Sequence, residues 1–245
     1  MEERLDKLLM DRKLVTTRAR AEQIIKEFGV KVNGKLIQKT GKKFPIDAHI
    51  EMIQEEIPYV SRGAYKLLEA INTWGINVEG ATAMDVGAST GGFTEVLLQH
   101  QAAKVYCVDV GSNQLHEKIR SNPKVINLEK THVRILTPQL IPDPIDVCVI
   151  DVSFISITKI FPFIHTFLQP SATVIALIKP QFEVGKENIA KGGIVKNKKL
   201  YPQILDEIKT VAQFNQLKPE DVIESPILGG DGNREFLMLL HKMEA

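Results

Sequence analysis

Between Met84 and Gln99 the sequence reads MDVGASTGGFTEVLLQ. An apolar run leads into Asp85, small residues follow through Gly87 and Ser89, and Gly91, Gly92 and Phe93 open a helix-forming stretch. A strand-to-helix turn of this kind lets the backbone approach a ligand closely, because glycine has no Cβ to keep it away. Asp109 ends the next strand-like run, 22 residues after Gly87. An acid there can accept hydrogen bonds from both hydroxyls of a ribose. Glu129, after the third such run, is a candidate for the adenine side of the same ligand.

Three ligands compete for this turn. A nucleoside triphosphate wants Lys-Ser/Thr after the glycines, and Phe93 stands there instead. A dinucleotide wants Gly-x-Gly-x-x-Gly, and the carboxylate of Asp85 would face its pyrophosphate. S-adenosylmethionine carries a sulfonium and an ammonium but no phosphate, so an acid near the turn favours it. The Asp85 argument therefore selects the methyl donor as the expected cofactor.

Four more residues call for a joint reading. Lys66 stands in SRGAYKLLEA, Asp151 ends DVCVID, Lys179 ends TVIALIK and Glu235 sits in GNREFLMLL. A strand-end lysine or aspartate taken singly is often a solvated terminus. Together, Asp151 and Lys179 end strands on the same edge of the sheet as the glycine turn, so they converge on the reacting group. A hydroxyl is a poor nucleophile at neutral pH and needs a base, or a field that stabilises its alkoxide. Lysine, ordinarily near pKa ~10.4, becomes a useful base only where burial or a cationic neighbour lowers that value. Two lysines supply the repulsion, while Asp151 and Glu235 orient their ammonium groups.

These residues need a scaffold, and the pattern after residue 60 provides one. ATAMDV, KVYCVDV, KVINL, DVCVID and TVIALIK read as strands. GFTEVLLQH, NQLHEKIR, SITKIFPFIHTFL (kinked near Pro162) and KLYPQILDEIKTVAQFN read as helices. Buried apolar strands alternating with helices predict an α/β fold, a mostly parallel sheet with helices on both faces. DVIESPI and EFLMLL follow each other without a helix, which predicts an antiparallel strand at the end. Ligands of such sheets sit beyond the carboxyl ends of the strands, at the topological switch point.

The first fifty residues have another character. Residues 1–52 carry twelve Lys/Arg against eight acids, whereas the remainder carries 19 basic and 22 acidic residues. ERLDKLLMDRKL and RARAEQIIKEF read as helices, the second capped by Thr16 or Thr17 and ended by Gly29. VKV-NG-KLI reads as a hairpin on a type I′ turn, and HIEMI closes the unit. A small basic α+β module of this kind fits a polyanion, and the plain alternative is a solvated charged face. The expected division is 1–52, a linker at 53–60 containing Pro58, and 61–245. Cys107 and Cys148 lie in apolar runs without CxxC spacing, which points to a reducing, cytoplasmic setting. No apolar stretch approaches the ~18–20 residues that cross a bilayer, so a spanning role has no support.

RLDKLL, TTRARA and VKVNGKLI, in that order and spacing, resemble the S-four-type RNA-binding domain. SRGAYKL, DVGASTGGFT, DVSFIS, IKPQFEVGK and GNREFL resemble the Lys-Asp-Lys-Glu set of the FtsJ-like ribose 2′-O-methyltransferases. Nearly the whole chain resembles the TlyA family, ribosomal RNA 2′-O-methyltransferases often labelled haemolysins. That resemblance implies a Rossmann-like methyltransferase sheet and S-adenosylmethionine as cofactor, with no metal requirement. It implies ribosomal RNA in assembled subunits as substrate, modified at a cytidine. It maps the catalytic set onto Lys66, Asp151, Lys179 and Glu235, with Lys179 deprotonating or polarising the 2′-hydroxyl and Lys66 helping to hold the nucleotide. RNA would be met by Arg4, Arg18, Arg20, Lys31, Lys35 and Arg62. The loop Gly185–Tyr201, with Lys186, Lys191, Lys196, Lys198 and Lys199, is either a further phosphate contact or an ordinary charged loop. Two other classes stay open at this point: an RNA- or ribosome-binding protein with a vestigial methyltransferase domain, and the haemolysin of the family label.

Overall fold

The structure is a computed structural model and describes residues 2–15, 17–53, 59–230 and 232–244. The chain divides into two compact units, Met1–Arg62 and Gly63–Ala245. Most of the linker expected at 53–60 lies outside the described residues, at 54–58. Of its ends, Ile53 is exposed and Tyr59 packs on the core of the first unit.

In the first unit a short strand, β1 (Glu2–Arg4), leads into α1 (Leu5–Asp11) and α2 (Arg18–Glu27). Leu5, Leu8 and Leu9 recur at helical spacing and are buried. Thr17 caps α2, its Oγ1 accepting the Arg20 N–H at 3.1 Å; Thr16 lies outside the described residues. β2 (Val30–Val32) and β3 (Lys35–Ile37) form the expected hairpin, with Asn33 and Gly34 at φ 50° and 75°. β4 (Lys43–Pro45) follows, and β5 (Ile50–Met52) pairs with β2 to complete a three-stranded sheet. The ladder between β1 and β4 was not expected from the sequence. ERLDKLL reads as helix from its first residue, but pairing with Lys43–Pro45 holds Glu2–Arg4 extended.

The second unit opens with α3 (Gly63–Trp74), then β6 (Thr82–Val86), α4 (Gly92–Gln99) and β7 (Lys104–Val108). α5 (Glu117–Arg120), β8 (Val125–Leu128), β9 (Ile145–Ile150), α6 (Phe161–Ile164) and β10 (Leu168–Ile178) continue it. α7 (Tyr201–Phe214), β11 (Leu217–Glu224) and β12 (Phe236–Lys242) end it. Seven strands form one Rossmann-like sheet in the order β11-β12-β10-β9-β6-β7-β8. β6 pairs in parallel with both β7 and β9, and from there the chain builds β8 outward on one side and β10 on the other. The switch point thus falls between β6 and β9. β12 runs antiparallel to both β10 and β11, as the missing helix before it predicts.

Two helices are shorter than their sequence pattern suggests. NQLHEKIR is helical only at Glu117–Arg120. SITKIFPFIHTFL yields a 3₁₀ turn at Ile157–Lys159 and the single turn of α6. Pro162 fits only the first turn of a helix, where it stands, and the chain has entered β10 by Leu168.

Candidate active site

The carboxyl ends of β6, β7 and β9 open on a cavity of about 360 Å³. Gly87, Ser89, Asp109, Gly111, Asp151 and Phe154 are among its walls. Gly87 has φ 87°, and a Cβ there would collide with the backbone oxygen of Asp151, so only glycine lets β6 and β9 end side by side. Gly91 (φ 93°) is the N-cap of α4; Gly92 and Phe93 begin that helix and are buried in it rather than in the cavity wall. Asp109 is held ready: Ser89 N–H donates to Oδ2 at 2.8 Å and Gly111 N–H to Oδ1 at 2.7 Å. Each oxygen keeps further acceptor capacity toward the cavity. Glu129 does not line the cavity but staples its wall. Its carboxylate accepts the N–H groups of Leu115 (3.1 Å), Gln114 (2.5 Å) and Asn113 (3.1 Å), which hold it below the usual carboxylate range.

Asp85 sits elsewhere than the sequence argument places it. It is fully buried beneath the turn, with Thr94 Oγ1 donating to Oδ2 at 2.6 Å and Oδ1 without a hydrogen-bond partner among the described residues. Burial, reinforced by the charges of Asp151 and Asp109, raises its carboxyl to about 7. Cys107 and Cys148 lie close by, and burial pushes their thiols up as well. Asp85 is therefore no cation-facing group of the cavity wall. A different observation disfavours the phosphate ligands: among the described residues lining the cavity none is Lys or Arg.

Sheet register assembles the tetrad. Ile150 of β9 lies beside Ala176 of β10, and Ile178 of β10 lies opposite Phe236 of β12. Asp151, Lys179 and Glu235, each one residue beyond those pairs, therefore share one edge of three neighbouring strands. Lys179 Nζ meets Asp151 Oδ1 at 2.5 Å and donates to Ser153 Oγ at 2.8 Å. Lys66, on α3, reaches Glu235 Oε2 at 2.5 Å in a pair that is buried on both sides. Each lysine has its own carboxylate, so charge is balanced pair by pair.

Residues 59–242 match the family model described as FtsJ-like methyltransferase, and residues 3–48 match the S4 domain. The chain is 37% identical to the 16S/23S rRNA (cytidine-2′-O)-methyltransferase TlyA of Mycobacterium tuberculosis over 238 residues, 97% of this chain and 89% of that protein. The chain belongs to the TlyA family of FtsJ-like methyltransferases. Hemolysin A of Brachyspira hyodysenteriae is 40% identical over 235 residues, 96% of this chain and 98% of that protein. A solved structure described as a hemolysin from Streptococcus thermophilus superposes with a TM-score of 0.78 at 37% identity, covering all of this chain and 90% of that one. Among the described residues of this TlyA-family chain no helix is long and apolar enough to cross a membrane.

Several groups that support the site were missed in the sequence. Ser153 shares Lys179 with Asp151. Phe154 is 91% exposed at φ 64°, its ring 5.2 Å from that of Phe182. Positive φ is unusual for so bulky a residue. Glu183 accepts from Ser156 Oγ (2.6 Å) and Ile157 N–H (2.9 Å), tying the segment after β10 to the one after β9; burial pushes its carboxyl up. Asn233 holds the basic loop, donating to Gly193 O at 2.9 Å and accepting from Val195 N–H at 3.0 Å. DVSFIS and GNREF contain three of these residues, but only their strand-end neighbours carry an evident charge.

Of the residues assigned to RNA, Arg4 and Arg18 share Asp6, Lys31 faces Glu51 at 4.0 Å, and Lys35 is exposed on β3. Arg20 is half-buried at the start of α2, and Arg62 is the last residue of the first unit.

Proposed function

We propose that this protein methylates the ribose 2′-hydroxyl of a cytidine in ribosomal RNA, on assembled subunits in the cytoplasm, with S-adenosylmethionine as donor and no metal. The observation that carries this reading is the pair of lysine–carboxylate contacts at the sheet edge, next to a cavity with a ribose-type acid and, among its described lining residues, neither Lys nor Arg. The cofactor, when bound, would supply a methyl on a sulfonium, open to attack by a nucleophilic oxygen with the thioether as leaving group. Asp109 holds ribose hydroxyls through its remaining acceptor capacity. Gly87 lets the chain lie close to that ligand.

Lys179 is the residue that meets the 2′-oxygen. Ser153 Oγ accepts from the Lys179 nitrogen, and Asp151 Oδ1 lies 2.5 Å from it as an ion pair without hydrogen-bond geometry, which leaves a direction open to the hydroxyl. As the ammonium, Lys179 stabilises the charge left on oxygen; as the neutral amine, its lone pair takes the 2′-proton and it becomes the ammonium. Lys66, fixed by Glu235, holds the nucleotide. The exposed ring of Phe154 offers a face for an unstacked base, a contact worth ~1–3 kcal/mol.

Ribosomal subunits from cells lacking this protein should take up tritium from labelled S-adenosylmethionine when the protein is added. Mass spectrometry should map that label to 2′-O-methylcytidine. Absence of incorporation in every subunit state would refute the reading and leave an RNA-binding protein.

A further inference from the structure

The first unit has a charged cluster of its own. Asp6 carries a side chain only 1% exposed, yet it meets two arginines. Arg4 donates Nε to Oδ1 at 3.0 Å and Nη2 to Oδ2 at 2.8 Å, and Arg18 donates Nε to Oδ2 at 3.0 Å. The Lys7 N–H adds a bond to Oδ1 at 3.0 Å. Arg4 first, then Arg18, hold this carboxyl at about 2.

Both guanidiniums remain open on their outer sides: the Arg4 side chain is 40% exposed and that of Arg18 is 59% exposed. Glu22 Oε1 lies 3.4 Å from Arg18 Nε, on the edge already turned to Asp6. Because Arg4 spends its Nε–Nη2 edge on Asp6, Nη1 is left for another partner. It lies over Gly41, where an added Cβ would stand 3.5 Å away. Gly41 belongs to a basic cleft lined by Lys26, Lys39, Thr40 and Lys42. That loop is tied to the start of α1 by Leu5 N–H to Lys42 O (2.9 Å) and Asp6 N–H to Thr40 O (3.3 Å). Arginine pair and lysine cleft thus form one basic surface, with a buried carboxylate beneath it.

We propose that Asp6 is a positioning residue that presents Arg4 and Arg18 as a fixed pair to the phosphates of an RNA strand, which the Lys39–Lys42 cleft continues. The inference rests on the reading that the first unit anchors RNA. Planar guanidiniums suit phosphate oxygens. Ordering a long, free arginine at an interface costs affinity, and Asp6 removes that cost before RNA arrives.

The sign of one substitution tests this. Asp6→Asn adds one unit of positive charge, so charge alone predicts tighter binding to a polyanion. Lost positioning predicts weaker binding, by about five- to tenfold, for the full chain and a fluorescein-labelled RNA hairpin in fluorescence anisotropy. In an Arg4→Ala/Arg18→Ala background Asp6→Asn should no longer weaken binding, since no guanidinium remains to be placed and only the gain from the lost negative charge is left; a general structural role would weaken binding there too. Should Asp6→Asn fail to fold, Arg4→Lys/Arg18→Lys keeps the charge and loses the fork, and it should also bind more weakly. Parent-like or tighter binding by Asp6→Asn, or by the lysine pair, overturns the positioning role. Parent-like binding by the double alanine variant overturns the RNA-anchoring reading beneath it.

Discussion

Asp85 gives the prediction with the most explicit arithmetic. Its carboxyl rises from an ordinary 3.8 to about 7, chiefly through burial. The folded chain therefore holds a proton that the unfolded chain releases. Stability from that proton is fully present below pH 3.8 and is lost as pH rises through about 7. Each pH unit in this window is worth ~1.36 kcal/mol. Asp85→Asn keeps the shape and can still accept from Thr94 Oγ1, but it never ionises. Between about pH 5 and pH 7 the variant should gain about 2–3 kcal/mol over the parent, measured by urea unfolding at each pH. The variant should be the more stable protein at pH 8, and calorimetry should find its cofactor affinity unchanged, because Asp85 lies outside the cavity wall. Parallel stability–pH curves would refute the buried, protonated carboxyl. A large loss of cofactor affinity would restore Asp85 as a direct ligand contact.

Lys179→Ala should lower methyl transfer to ribosomal RNA by on the order of 10²–10⁴-fold while cofactor binding persists. Lys179→Arg should fail as well, because guanidinium keeps its proton; an active arginine variant would leave positive charge, not proton transfer, as the working element. Asp109→Ala should weaken cofactor binding in calorimetry while RNA affinity stays near that of the parent, and unchanged cofactor affinity would remove Asp109 from the site.

Much of this was legible in the residues. Strand-end positions of Asp109, Asp151 and Lys179 follow from apolar runs that stop at a charge, and their convergence follows from parallel topology. Asn33-Gly34 announced its turn. What could not be read depended on depth and on partners far away in sequence. Nothing in MDVGAST reveals that Asp85 points down into the sheet while Asp109 points out. The pairing of Lys66 with Glu235 joins residues 169 positions apart, and no local pattern records it. Phe154 lies within DVSFIS, yet its exposure comes with a backbone twist that propensity does not encode. β1 was missed because three residues of ladder outweighed a helical sequence preference.

The position of β12 has a consequence for how the enzyme comes into being. This last strand enters between β10 and β11, which are never neighbours until it arrives. Glu235, just ahead of it, completes a pair with Lys66 near the start of the unit. During synthesis β11 has no sheet to join, and that edge of β10 stays bare, until β12 itself has emerged. Such long-range closure is slow compared with local folding. A chain cut short before β12 would lack both the strand that joins the sheet and the acid that fixes Lys66. Closure of the sheet and fixing of Lys66 thus depend on one stretch of chain, Glu235 through β12.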